Sequence, residues 1–126
     1  IVGDAPDMTK HVAQPISFNP NGFNAGDSVT VSYQVRNAGT SGGTAWARFK
    51  IFDMAGTLTA IDSAQFTLAP NANTTLFRKL FFAVDSGYVV MEIANCTPAE
   101  SNLLNNNDTL FFNTVVRLKA SLTVNN

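Results

Sequence analysis

The 126-residue chain has one Cys and one His, and charged residues make up only 13% of it. A Cys/His zinc site takes about four such ligands at set spacing, so none can assemble within this chain. A Cys–His catalytic pair would have to use the sole copy of each residue. Lys and Arg number 8 against 9 Asp and Glu, for a net charge of -1. That leaves no electrostatic footprint for a nucleic acid and no polybasic stripe for a membrane surface. Long apolar runs are missing too: the longest uncharged stretches are rich in Asn, Gly, Ser and Thr, so no membrane insertion is expected. Enzyme signatures are as scarce. There is no Gly-x-Ser-x-Gly elbow, no P-loop and no dinucleotide fingerprint. His11 reads as a surface or edge histidine, and the acids are scattered over turns without a marked pair. No catalytic residue and no cofactor is expected.

What is present is enough for one core. The composition is 45% hydrophobic, which excludes a disordered chain, and about 126 residues suffice without a disulfide or metal staple. The lone Cys96 is compatible with the cytosol or with an envelope protein lacking structural disulfides. Residues 1–6, with Gly3-Asp4-Ala5-Pro6, look like a linker. No charged segment followed by an apolar run opens the chain, so the expectation is a piece of a longer polypeptide without a signal peptide.

Helical periodicity is nearly absent, whereas alternation with period two recurs between Gly, Pro, Asn and Asp clusters. Met8 to Phe18 reads as an extended segment interrupted by Pro15, which suits an edge strand or one that switches sheets. Ser28 to Arg36 places Val29, Val31, Tyr33 and Val35 on one face. Thr44 to Asp53 places Ala45, Ala47, Phe49 and Ile51 on one face and Trp46, Arg48, Lys50 and Phe52 on the other. Ala60 to Leu68, Thr74 to Val84 and Tyr88 to Ala94 come next, with Val89, Met91 and Ile93 in phase in the last. Asn95 to Asp108 reads as a long polar loop. Thr109 to Val124 is a last extended region, one long strand or two, with Leu110 and Phe112 facing inward. About seven short strands and no helix predict an antiparallel β-sandwich, with a small barrel as the alternative.

Three surface features stand out. Trp46, Arg48, Lys50 and Phe52 form an aromatic-plus-cation face that either meets a partner or sugar, or has Trp46 packed away in the sandwich. Glu100, Asn105, Asn107 and Asp108 gather oxygen ligands of the kind calcium takes, yet without the charge density of a calcium loop; the alternative is Asn side chains satisfying loop backbone. Phe77, Phe81 and Phe111 lie opposite the best-defined inward faces, as covered residues or as an apolar patch.

Pro6-Asp7-Met8, then Ala25-Gly26-Asp27-Ser28-Val29-Thr30-Val31, Val35-Arg36-Asn37-Ala38-Gly39-Thr40, Leu68-Ala69-Pro70-Asn71-Ala72-Asn73-Thr74-Thr75 and Glu100-Ser101-Asn102-Leu103-Leu104-Asn105-Asn106 occur in this order. In them the chain resembles a CARDB domain, the cell-adhesion-related domain found in bacteria, from Asp7 to about Val116. The resemblance implies an immunoglobulin-like seven-stranded antiparallel β-sandwich. It further implies a non-catalytic structural or adhesion-type module of a secreted or cell-surface protein, extracellular or in the cell envelope. Asn37 and Gly39 are expected in a turn needing positive φ, and Glu100, Asn102, Asn105 and Asn106 as groups knitting a loop to the sheet end. The stretch Ala94-Asn95-Cys96-Thr97-Pro98 departs from the family by lacking acids, which weakens the calcium reading. Residues 117–126 extend past the family's final strand, as an extra strand or a linker to a further domain. The expected partners are neighbouring domains of the same parent chain or another surface protein. A polysaccharide, bound by a module attached to an enzyme, and self-association through the last strand are the alternatives.

Overall fold

The computed structural model describes residues 4–99 and 107–113. Eight strands succeed one another: β1 (Met8–Lys10), β2 (Ile16–Asn19), β3 (Ser28–Asn37), β4 (Gly43–Asp53), β5 (Leu58–Leu68), β6 (Asn73–Phe81), β7 (Ser86–Thr97) and β8 (Asn107–Asn113). They form two antiparallel sheets. In the first, β3 is flanked by β6 on one side and by β1 and β2 on the other; in the second the order is β5-β4-β7-β8. The fold is the immunoglobulin-like sandwich expected.

β1 and β2 occupy one strand position. Met8–Lys10 pairs along Val35–Asn37, and Ile16–Asn19 pairs along Thr30–Tyr33 of the same strand. Between them residues 11–15 loop out around Gln34, which accepts from the His11 N–H and donates to the Pro15 carbonyl. A proline cannot donate to a ladder, so the break falls where an edge strand tolerates it. Eight segments thus fill seven strand positions.

Alternation sets the core. Val29, Val31, Tyr33 and Val35 from β3 face Ala45, Ala47, Phe49 and Ile51 from β4 and Val89, Met91 and Ile93 from β7, all buried. The two inner faces interdigitate as in other sandwiches. One end is closed by four phenylalanines. Phe18, Phe23, Phe82 and Phe112 sit with ring centroids 4.6 to 6.3 Å apart. Phe23 and Phe82 come from connections between strands.

The other end is organised by Asn37. Its side chain is fully buried. Its Oδ1 accepts from the Asp7 and Gly39 N–H groups (3.0 and 2.9 Å), and its Nδ2 donates to the Ser41 and Leu68 carbonyls (2.9 and 3.1 Å). All the hydrogen-bonding capacity that a buried amide needs to satisfy is used. The positive φ expected at Asn37 and Gly39 is absent; among the described residues, the non-glycine ones with positive φ are Asn71 and Asn95. Gly39 is required for a different reason: a Cβ there would collide with the Ala5 carbonyl oxygen and the Asp7 nitrogen. Among the non-glycine residues, positive φ is used in the turn between β5 and β6. Ala69-Pro70-Asn71-Ala72 forms a tight turn in which the Ala72 N–H donates to the Ala69 carbonyl and Asn71 takes φ 66°, the type II pattern with Pro then Asn.

Several boundaries differ from the sequence reading: β5 begins at Leu58, before the expected Ala60, and β6 ends at Phe81, before the expected Val84. β7 runs on to Thr97 through a bulge opposite Thr44 and Trp46, where Asn95 adopts φ 56°. β8 begins at Asn107. The polar loop expected over Asn95 to Asp108 is therefore shorter at both ends. The expected continuation from 114 to 124 lies outside the described residues.

The strands also fix direction. The backbone enters β1 beside Asn37, with residues 5–7 seated on that end. It leaves β8 at Asn113, opposite Ser86, at the end where β4 finishes in Asp53. The first and last described strands therefore lead outward at opposite poles of the sandwich.

Candidate functional site

Register builds the outer face of the second sheet. Leu58 lies opposite Phe52, Phe52 opposite Tyr88, and Tyr88 opposite Phe111. An apolar row thus crosses all four strands near the β4–β5 hairpin. The next row is Ile61, Lys50, Val90 and Thr109; beyond it come Ser63, Arg48, Glu92 and Asn107, and then Gln65, Trp46 and Ala94. The face grades from apolar at the hairpin pole, through charged, to an isolated Trp46.

The quartet Trp46, Arg48, Lys50 and Phe52 does share this outward face, and Trp46, 38% exposed, is not in the core. The four run lengthwise along β4 and meet different neighbours. Lys50 Nζ lies 2.8 Å from Glu92 Oε1. The Phe52 ring stacks on Tyr88 at 5.2 Å between centroids with planes 13° apart, and Tyr88 meets Phe111 at 5.2 Å. Parallel rings at that separation lie face to face with an offset, so each covers part of the other's face. Phe111, Ile61 and Leu58 are 63%, 54% and 45% exposed. Sequence alternation could place Phe52, Tyr88 and Phe111 on an outer face, but not in one row with Leu58, which fell before the expected strand: the row depends on strand order and register, and the Phe52–Leu58 pairing lies beyond a register shift after Ile51.

Beside Phe111, a cleft of about 280 Å³ is lined by Met54, Ser86, Phe111, Phe112 and Asn113. The β4–β5 hairpin that carries Met54 is held by Asp53, whose Oδ1 accepts from the Ala55 and Thr57 N–H groups, both at 2.9 Å. Phe77 and Phe81 are exposed on β6, opposite Ser32 and Ser28 on the outer face of the first sheet.

Of the oxygen-rich cluster, Asn107 sits in the β7–β8 ladder opposite Glu92. Asp108 points into the seam between the sheets, where its Oδ2 accepts from the Tyr33 hydroxyl at 2.6 Å and its Oδ1 lies 3.6 Å from Lys10 Nζ. Both oxygens of Asp108 thus have protein partners. Glu100, Asn102, Asn105 and Asn106 lie outside the described residues. His11 is exposed in the looped-out part of the edge strand, and Cys96 is half-buried and packs against the core.

No family model and no curated protein matches the sequence. Among solved structures, the chain is similar to β-glucosidase 3B from Thermotoga neapolitana in complex with α-D-glucose, at 15% identity and a TM-score of 0.46. The likeness covers 87% of this chain and 16% of that one. The chain therefore spans less than a fifth of the enzyme's length.

Proposed function

We propose that the chain is a non-catalytic structural or adhesion-type module of a bacterial secreted or cell-surface protein, set in line between neighbouring parts of its parent. The observation that carries this reading is the placement of β1 and β8, whose outward-leading ends lie at opposite poles. A sandwich threaded in this way holds its two flanking neighbours apart by its own length. The resemblance to CARDB domains in the segments around Asn37 and Asn71 supports the same assignment and, with it, an extracellular or envelope location. The polar groups with the most demanding geometry serve the scaffold: Asn37 clasps three segments and Asp108 ties two sheets.

A sugar-binding module is less well supported. Pyranose platforms offer ring faces to solvent, whereas Phe52 and Tyr88 turn theirs toward each other. The test is a fusion of one reporter domain before Asp4 and another after Asn126. Small-angle scattering should place the reporters farther apart than a direct fusion does, by roughly the length of β4, about 35 Å. Reporters lying side by side would overturn the in-line reading. Turnover of a glycoside, peptide or ester that vanished with His11→Ala would overturn the non-catalytic one.

A further inference from the structure

Register brings one amine and one carboxylate together from the first and the last described strands. Lys10, the last residue of β1, lies opposite Val35, and Asp108, on β8, lies opposite Met91. Val35 and Met91 are buried, and residues opposite each other across a ladder share a face. Both side chains therefore turn into the seam between the sheets. There Lys10 Nζ is 3.6 Å from Asp108 Oδ1. The carboxylate side chain is 8% exposed and that of the lysine 47%. The Tyr33 hydroxyl, from β3, donates to the other oxygen, Oδ2, at 2.6 Å.

These are the groups that forming an amide requires: a nitrogen beside the carboxyl carbon, and a donor fixed on the oxygen where negative charge collects during attack. Cγ is bonded to Oδ1, so a small shift of the half-exposed lysine end brings Nζ to the near-attack range of about 3–3.5 Å. The other ion pairs among the described residues lack part of this set. Lys50 and Glu92 are closer, at 2.8 Å, but both lie on the outer face of one sheet and no hydroxyl donates to that carboxylate. Asp62 meets Arg78, whose guanidinium is no nucleophile.

We propose that Lys10 and Asp108 become joined by an amide bond between their side chains, formed by the folded chain itself. The ammonium first gives one proton to Oδ1, leaving a neutral amine beside a carboxylic acid. The Nζ lone pair then attacks Cγ, and the C=O pair moves onto Oδ2, where Tyr33 already donates. Oδ1 takes a second proton from Nζ and leaves as water while the double bond to Oδ2 re-forms. One C–N bond forms, one C–O bond breaks, and neither oxidant nor reductant is needed. In bulk water the opposite direction, hydrolysis, is favoured. Two groups held in contact by a fold react as if at an effective concentration of about 10⁵–10⁸ M, which is what turns the balance toward condensation. The ion-paired state leaves β1 able to slide along β3; the bonded state ties it to β8. The proposal rests on the seam between the sheets and not on the poles, so it stands or falls independently of the in-line reading.

Intact mass spectrometry of the full 126-residue chain, denatured after incubation in the folded state, tests it, followed by tryptic mapping. The expected result is a species lighter by one water that accumulates with time, a linked peptide pair containing Lys10 and Asp108, and no cut after Lys10. Lys10→Arg keeps the charge but offers no amine, and should retain the full mass. Tyr33→Phe should form the bond about a hundredfold more slowly, as loss of one donor to a developing oxyanion does. Thermal melts check that both variants fold; if Tyr33→Phe does not, the wild type and Lys10→Arg decide the matter. A folded wild type that keeps its full mass after prolonged incubation and is cut after Lys10 would overturn the proposal. So would a water loss without the linked pair, as ring closure at an aspartate gives, or an equal loss in Lys10→Arg. A folded Tyr33→Phe that forms the bond at the wild-type rate would overturn the part given to Tyr33.

Discussion

The Tyr33 hydroxyl donates to Asp108 Oδ2 at 2.6 Å, joining β3 of one sheet to β8 of the other across 75 residues of sequence. Tyr33 is fully buried, and Lys10 on β1 approaches the other carboxylate oxygen. Three strands from two sheets thus converge on one buried carboxylate.

Removing the hydroxyl should leave that carboxylate short of a donor. Tyr33→Phe is expected to destabilise the fold by about 1–3 kcal/mol, the cost of an unsatisfied buried acceptor. For a chain of this length that is a fall in Tm of roughly 4 °C per kcal/mol. Denaturant unfolding checks it, and an unchanged midpoint would show that the bond contributes nothing net.

The same bond sets an alkaline dependence. Burial first, then the hydrogen bond to Asp108 and the charge of that carboxylate, push the Tyr33 hydroxyl well above the ordinary tyrosine range. The folded form therefore keeps a proton that the unfolded chain gives up near pH 10. The stability from this group is complete below about pH 10 and falls as pH rises beyond it, by at most about 1.4 kcal/mol per unit. Tyr33→Phe lacks this loss, so the stability gap between wild type and variant should narrow between about pH 10 and 11.5. Parallel curves over that range would refute the assignment.

Asn37→Ala should cost more than an ordinary polar truncation. It strands the Asp7 and Gly39 N–H groups and the Ser41 and Leu68 carbonyls together, for a loss on the order of 3 kcal/mol or more. Asn37→Asp should be no better, since it aims a carboxylate at two carbonyl oxygens. Equilibrium unfolding measures both, and a loss under about 1 kcal/mol for either would mean that water replaces these bonds.

Gly39→Ala is expected to release the segment that leads into β1. The added methyl would occupy the place of the Ala5 carbonyl, and backbone there cannot give way as a flexible side chain does. Faster amide exchange at Thr40, which donates to that carbonyl at 3.0 Å, is the readout. Unchanged exchange with unchanged stability would show that the seat tolerates a Cβ.

A chelator should leave Tm within about 2 °C, less than 1 kcal/mol is worth at this size. A cation at Asp108 would have to displace Tyr33 or Lys10. A larger fall, reversed by calcium, would reassign the Asn105–Asp108 region from scaffold to metal site.

Strand identity was legible because apolar residues alternate so regularly: Val29 to Val35 and Ala45 to Ile51 face the core as their spacing dictates. Pro15 marked the interrupted edge for the same local reason. What alternation cannot carry is which strands lie side by side. The row Leu58, Phe52, Tyr88 and Phe111 joins residues from four strands, so the lengthwise quartet on β4 was visible and the crosswise row was not. Asn37 was singled out from its motif, but its role rests on four bonds to segments as far away as Asp7 and Leu68. Phe23 was hidden because it sits in a connection, where no period marks an inward side chain, whereas Phe82 lies just past the end of β6, in phase with Leu80.

The looped-out residues 11–15 also determine how the sandwich bears tension. A pull on a chain threaded from pole to pole loads β1 in shear against β3 and β8 in shear against β7. β1 holds by three residue pairs and β8 by seven. The slack between Lys10 and Ile16 delays transmission of the load to β2 until β1 has slid. Under the proposed in-line loading, the first yielding step is expected at β1 and the Asn37 clasp, where sliding withdraws Met8 from the core before β2 and β3 part.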